Sequence, residues 1–119
     1  MSVIDPKIII NNAVSRLYED AKDIYLEQEI TLLTIVNILT ASMIIVENYE
    51  DISGLQKKQV VIDFLNKIVE DHVDREEDRV ALIMFINMSI PVVIDSLVSV
   101  DKQELQIKAK ETVRKFCCF

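Results

Sequence analysis

One glycine, two prolines and no tryptophan in 119 residues leave this chain short of turn-formers. Hairpins and tight turns need Gly, Asn-Gly or Asp-Gly where φ is positive. Their scarcity argues for helices, despite many β-branched residues whose own preference is for strands. The two cysteines, Cys117 and Cys118, are adjacent and cannot pin distant segments together. None is needed, because a chain of this length buries about two-thirds of its unfolded surface without a staple. There is a single histidine, no Gly-rich phosphate loop, no second His for a metal pair, and no nucleophile, base and orienting acid in one predicted pocket. The expectation is a non-enzymatic protein with no cofactor and no metal. A formal net charge of −7 disfavours nucleic acid as a partner, since phosphate neutralisation supplies most of that affinity. Met1–Asp5 has no basic n-region and Ile8–Ile10 is too short for an h-region, so the expected location is cytoplasmic or within a virion, not secreted.

What is present is apolar bulk. Half the residues are hydrophobic, and the stretch Ile30–Val46 carries no charge at all. It is shorter than the roughly 20 residues of a membrane span and contains Thr, Asn and Ser, so it predicts a central, buried helix. Thr31, Thr34, Asn37 and Ala41 interrupt it at three- to four-residue spacing, a stripe along which a neighbouring backbone could approach. Val80–Ile94 is also uncharged and predicts a second helix buried on more than one side. Within it Pro91 removes the bond to the Asn87 carbonyl and predicts a kink or break near Met88–Ile90. The candidate core or interface residues are Leu32, Leu33, Val36, Leu39 and Met43 on the first, and Ile83, Ile86, Ile90 and Val93 on the second.

The remaining helices follow from caps and periodicity. Asp5-Pro6 opens a helix over residues 6–26, with Ile10, Val14, Leu17, Ala21 and Ile24 on one face. Glu27-Gln28-Glu29 links it to the uncharged helix. Ser53 and Gln56 have capping-box spacing. The helix they open carries Val60, Val61, Phe64, Leu65, Ile68 and His72 inward, and Lys57, Lys58, Asp63, Lys67 and Glu70 outward. Asp74 to Glu77 and Asp101 to Glu104 repeat the cap signal, the latter opening a last helix with Leu105, Ala109, Thr112, Val113 and Phe116 on its apolar side. The fold expected is all-α, a compact bundle of about five helices in a single domain over residues 1–119, ending in a basic Cys-Cys tail at residues 114–119.

Three constellations admit a sharper reading. Glu70–Asp78 gathers six carboxylates and His72, but lacks the ligand order and glycine of a Ca²⁺ loop, and reads as a solvated corner. Ser89 and Ser96 flank Pro91 and read as partners for carbonyls that the proline frees. Cys117 and Cys118 beside basic residues suit lipidation, although the pattern is not C-a-a-X.

The runs Phe64-Leu-Asn-Lys-Ile-Val-Glu, Met88-Ser-Ile-Pro-Val-Val-Ile-Asp-Ser-Leu-Val-Ser-Val-Asp-Lys and Lys115-Phe-Cys-Cys-Phe resemble small helical proteins of large cytoplasmic DNA viruses, over residues 55–119. The resemblance implies a virion component or a capsid- or internal-membrane-associated protein, and it carries over no catalytic residue. From the residues themselves the expectation is a structural or interaction protein that buries a helical apolar face in a homodimer or a larger assembly. The alternative is a peripheral membrane protein anchored through Cys117 and Cys118.

Overall fold

The computed structural model describes residues 6–104, and their side chains from 7 to 98. They form α1 (Pro6–Asp20), α2 (Lys22–Tyr25), α3 (Leu32–Glu47), α4 (Gly54–His72), α5 (Glu76–Met88) and α6 (Ile90–Glu104), with no strand among the described residues. The all-α bundle that the scarcity of turn residues predicts is the fold.

Helix α4 is its axis, and α1, α3, α5 and α6 all pack against it. Val60, Val61, Phe64, Leu65, Ile68 and Val69 are fully buried. At 100° per residue these positions sweep about half of the helix circumference, which is why neighbours lie on more than one side. The helix starts where predicted: Ser53 Oγ accepts from the Gln56 N–H at 3.2 Å, and Gln56 Oε1 accepts from the Ser53 N–H at 2.9 Å. Such a cap is worth about 1 kcal/mol. Lys57, expected to point outward, is instead buried at the α3–α4 corner, where its Nζ donates to the Glu47 carbonyl at 3.1 Å. A long aliphatic stem covers apolar surface while its amine finishes the end of α3.

The helix expected over 6–26 is divided. α1 ends at Asp20, the fully buried Ala21 forms a turn, and α2 follows. Its predicted stripe faces inward, with Val14, Leu17 and Ala21 buried and Ile10 and Ile24 partly so. The helix expected near residue 30 begins at Leu32, capped by Thr31 through a reciprocal bond with Thr34. Thr34 Oγ1 also donates to the Glu29 carbonyl at 2.6 Å, folding the acidic link onto the helix start.

The two uncharged stretches differ most from expectation. α3 buries Ile35, Ile38, Leu39, Ser42, Met43 and Val46, but its first turns leave Leu32, Leu33 and Val36 in solvent. The Thr31, Thr34, Asn37 and Ala41 stripe is exposed or half-buried. α5 buries only Leu82 and Ile86. Lack of charge therefore does not place these helices at the centre; α4, which carries charge on its outer face, lies there because its apolar residues are the ones arranged to meet several neighbours.

The break at Pro91 occurs as the ring stereochemistry requires. Ser89 separates α5 from α6, and the two helices meet at a bend of 41°. The N–H of Ser89 donates to the Phe85 carbonyl at 2.9 Å and that of Val93 to the Ser89 carbonyl at 3.0 Å, so the ladder runs up to the break and resumes after it, while the proline has no donor to give. The hydroxyls of Ser89 and Ser96 take part in no hydrogen bond among the described residues. α6 then runs through Glu104 without stopping at Asp101, so no new helix begins there. α5 has Arg75 at its N-cap with no side-chain cap bond, in place of the Asp74 cap, and Glu76, Glu77 and Asp78 in its first turn complement the helix dipole.

One polar contact fixes α5 against α4. Asn66 Nδ2 donates to Asn87 Oδ1 at 3.0 Å and Asn87 Nδ2 to Asn66 Oδ1 at 3.2 Å, a reciprocal amide pair. Farther along, Lys58 Nζ meets Asp95 Oδ1 at 2.8 Å and ties α6 to α4.

If α4 is the axis, Phe64→Ala should lower unfolding free energy by about 3–5 kcal/mol, whereas Leu33→Ala should change it by less than about 0.5 kcal/mol. Urea denaturation followed by circular dichroism measures both, and comparable losses would contradict the assignment.

Candidate interaction surface

Two polar clasps lie where α1 meets its neighbours. In the first, the Tyr18 hydroxyl sits 2.9 Å from Asp71 Oδ2 and 2.8 Å from His72 Nε2, while the Tyr25 hydroxyl donates to the Tyr18 carbonyl at 2.9 Å. The rings of Tyr18 and Tyr25 meet at 5.0 Å between centroids, and each stands edge-on to Phe64. His72, expected inward, is exposed at the rim of this aromatic group and stacks on Tyr18. Burial, and next the hydrogen bond to Asp71, push the Tyr18 phenol above its ordinary pKa. It remains a protonated donor.

In the second clasp, the Tyr49 hydroxyl donates to Asp20 Oδ2 at 2.5 Å, and the Arg16 guanidinium lies 4.0 Å above the Tyr49 ring. Arg16 also reaches both carboxylate oxygens of Asp51 at 3.0 Å. That hydrogen bond holds the Asp51 carboxyl below its usual range. Burial first, and then the bond to Asp20, raise the Tyr49 phenol. Both clasps lock α1 onto the α3–α4 corner and the end of α4. The Tyr18 and Tyr49 phenols are bound to carboxylates and held neutral, a state suited to fixing helices.

The acidic corner of residues 70–78 is spread along the end of α4 and the start of α5. Among the described residues no group of three or more His, Cys, Asp or Glu side chains is gathered as a metal ion would need. Asp71 and His72 serve Tyr18, while Asp78 and Arg75 line an open cleft with Gln28, Glu29 and Ile30.

Among the described residues, the longest row of exposed apolar side chains lies on the outer face of α5 and the start of α6. Val80, Met84, Met88 and Val92 follow one another at intervals of four, and their exposures are 49, 56, 72 and 64 %. On a helix that spacing makes a single ridge, here running across the Pro91 bend on the side opposite Leu82, Ile86 and Ile90. A shallow cleft lined by Glu29, Leu32, Asp78 and Ala81 separates the exposed start of α3 from the flank of α5. Contiguous exposed apolar surface marks interaction sites, and methionines adapt to a partner's shape.

The sequence-derived candidates divide between core and surface. Leu39, Met43, Ile86 and Ile90 are fully buried, Ile83 and Val93 are half-buried, and Leu32, Leu33 and Val36 are exposed. The four ridge residues are not among those candidates, although their four-residue spacing is visible in the sequence. Cys117 and Cys118, the basic tail of residues 114–119 and the apolar side expected from Leu105 to Phe116 lie outside the described residues. No single helix among those described is long and apolar enough to cross a membrane; α5 with α6 to Val98 has the length and composition only as a bent pair. No family model, curated protein or solved structure matches the chain.

The Tyr49 clasp predicts alkaline sensitivity. An unfolded tyrosine releases its proton near pH 10, while folded Tyr49 retains it at higher pH. Above about pH 10 the unfolded chain thus binds fewer protons than the folded one, and stability falls as pH rises. The thermal midpoint of the wild type should exceed that of Tyr49→Phe below about pH 10 and converge on it above. A gap that stays constant through that range would contradict the proposed clasp.

Proposed function

We propose that this protein is a non-enzymatic interaction module that buries the outer ridge of α5 and α6 against a partner within a larger assembly. The observation that carries the reading is the exposure of Val80, Met84, Met88 and Val92 along one ridge. No charge falls between Val80 and Ile94, so the ridge has no charged group that must be desolvated at its centre. The charged residues gather beyond its ends, at Glu76–Arg79 and Asp95, as the polar rim of an interface does. Rigidity supports the same reading. The Asn66–Asn87 pair and the Lys58–Asp95 bridge hold the two helices on α4, so docking would order little that is not already ordered.

The double substitution Met84→Glu/Met88→Glu tests it. Both side chains are exposed in the free protein, so the variant should keep its helical circular dichroism and a thermal midpoint within a few degrees of wild type. In extracts of its native host, the wild type should elute in an assembly heavier than its own 13.7 kDa, and the folded variant should elute alone. An unfolded variant would make the ridge part of the core. An unchanged assembly would place the contact elsewhere.

A further inference from the structure

We infer that the partner on this ridge is a second copy of the same chain, packed antiparallel about a twofold axis between Met84 and Met88. The inference rests on the docking reading above and names its occupant. The ridge reads Val80, Met84, Met88, Val92, which is the same in both directions. A twofold interface requires self-complementarity, each residue meeting its counterpart across the axis. Antiparallel pairing sets Val80 against Val92 of the second copy and Met84 against Met88, so large side chains meet at the middle and small ones at the ends.

Charge favours this face over the others. Each copy carries a net charge of −7, and two such bodies repel except where a surface is neutral. The same register brings Glu77 opposite Asp95, a juxtaposition of like charges. Lys58 stands 2.8 Å from Asp95 and already pairs with that carboxylate.

The area is also of the right order. A standard interface hides about 800 Å² per partner, of which about 56–65 % is apolar. That corresponds to roughly seven part-exposed aliphatic side chains. The ridge provides four, and the exposed start of α3, across a cleft walled by Glu29 and Asp78, offers three more.

The test uses the full chain under reducing conditions, so that Cys117 and Cys118 cannot cross-link, with mass from light scattering at concentrations up to about 100 µM. The wild type should be a dimer. Met84→Glu alone and Met88→Lys alone should each weaken the dimer at least about a hundredfold, because each buries two like charges at the axis. Mixing the two variants should restore a heterodimer, in which the carboxylate introduced on one chain meets the ammonium introduced on the other. A monomeric wild type overturns the inference while leaving the docking reading to its own assay in host extracts. Dimers insensitive to either substitution, or variants that fail to complement, overturn the pairing. Monomeric wild type that sediments with neutral phosphatidylcholine vesicles would assign the ridge to a membrane instead.

Discussion

The structure depends on covering one helix. α4 presents apolar side chains over about half of its circumference, and a chain of this size has only a few short helices with which to enclose it. α1, α3, α5 and α6 are each consumed by that task on one side only. Interior packing comparable to that of organic crystals leaves little freedom in how they do so. The consequence is an inner layer that is complete around Phe64 and Leu65, and an outer layer whose far sides have no further helix among the described residues to cover them.

Much of the fold was legible because its signals are local. The Ser53–Gln56 cap, the inward stripe of α1 and the break before Pro91 follow from stereochemistry within a few residues, which no distant contact overrides. The Thr31–Thr34 cap is masked by the acids of residues 27–29, which mark a helix start two residues too early; Thr followed three residues later by Thr was the available signal. The Asp101 signal goes unused because α6 has already been started by the Pro91 break, and a short acidic residue is tolerated within a helix once the ladder is running.

The surface was less legible, for a different reason. Hydropathy reports what a side chain prefers and is silent on whether the fold has a neighbour to offer. Val80–Ile94 carries no charge, so its sequence alone gave equal claim to every side of α5. The ridge becomes visible only when α4 occupies the side of Leu82 and Ile86. Lys57 is the inverse case, a charged residue placed inside because the end of α3 had a carbonyl to satisfy. The two clasps show the same limit: Tyr18 finds Asp71 and His72 across more than fifty residues of chain, a proximity that no local pattern encodes.

The Asn66–Asn87 pair carries a consequence for how α5 is oriented. A cylinder that is greasy nearly all round has no thermodynamic reason to prefer one roll angle over the next, and hydrophobic contact alone would let it turn in its seat. Two amides that pair face to face favour one roll angle over its neighbours, as a key does in a shaft. Which residues of α5 look outward is then set by the burial of Leu82 and Ile86, with the pair of asparagines marking the same azimuth at the rim.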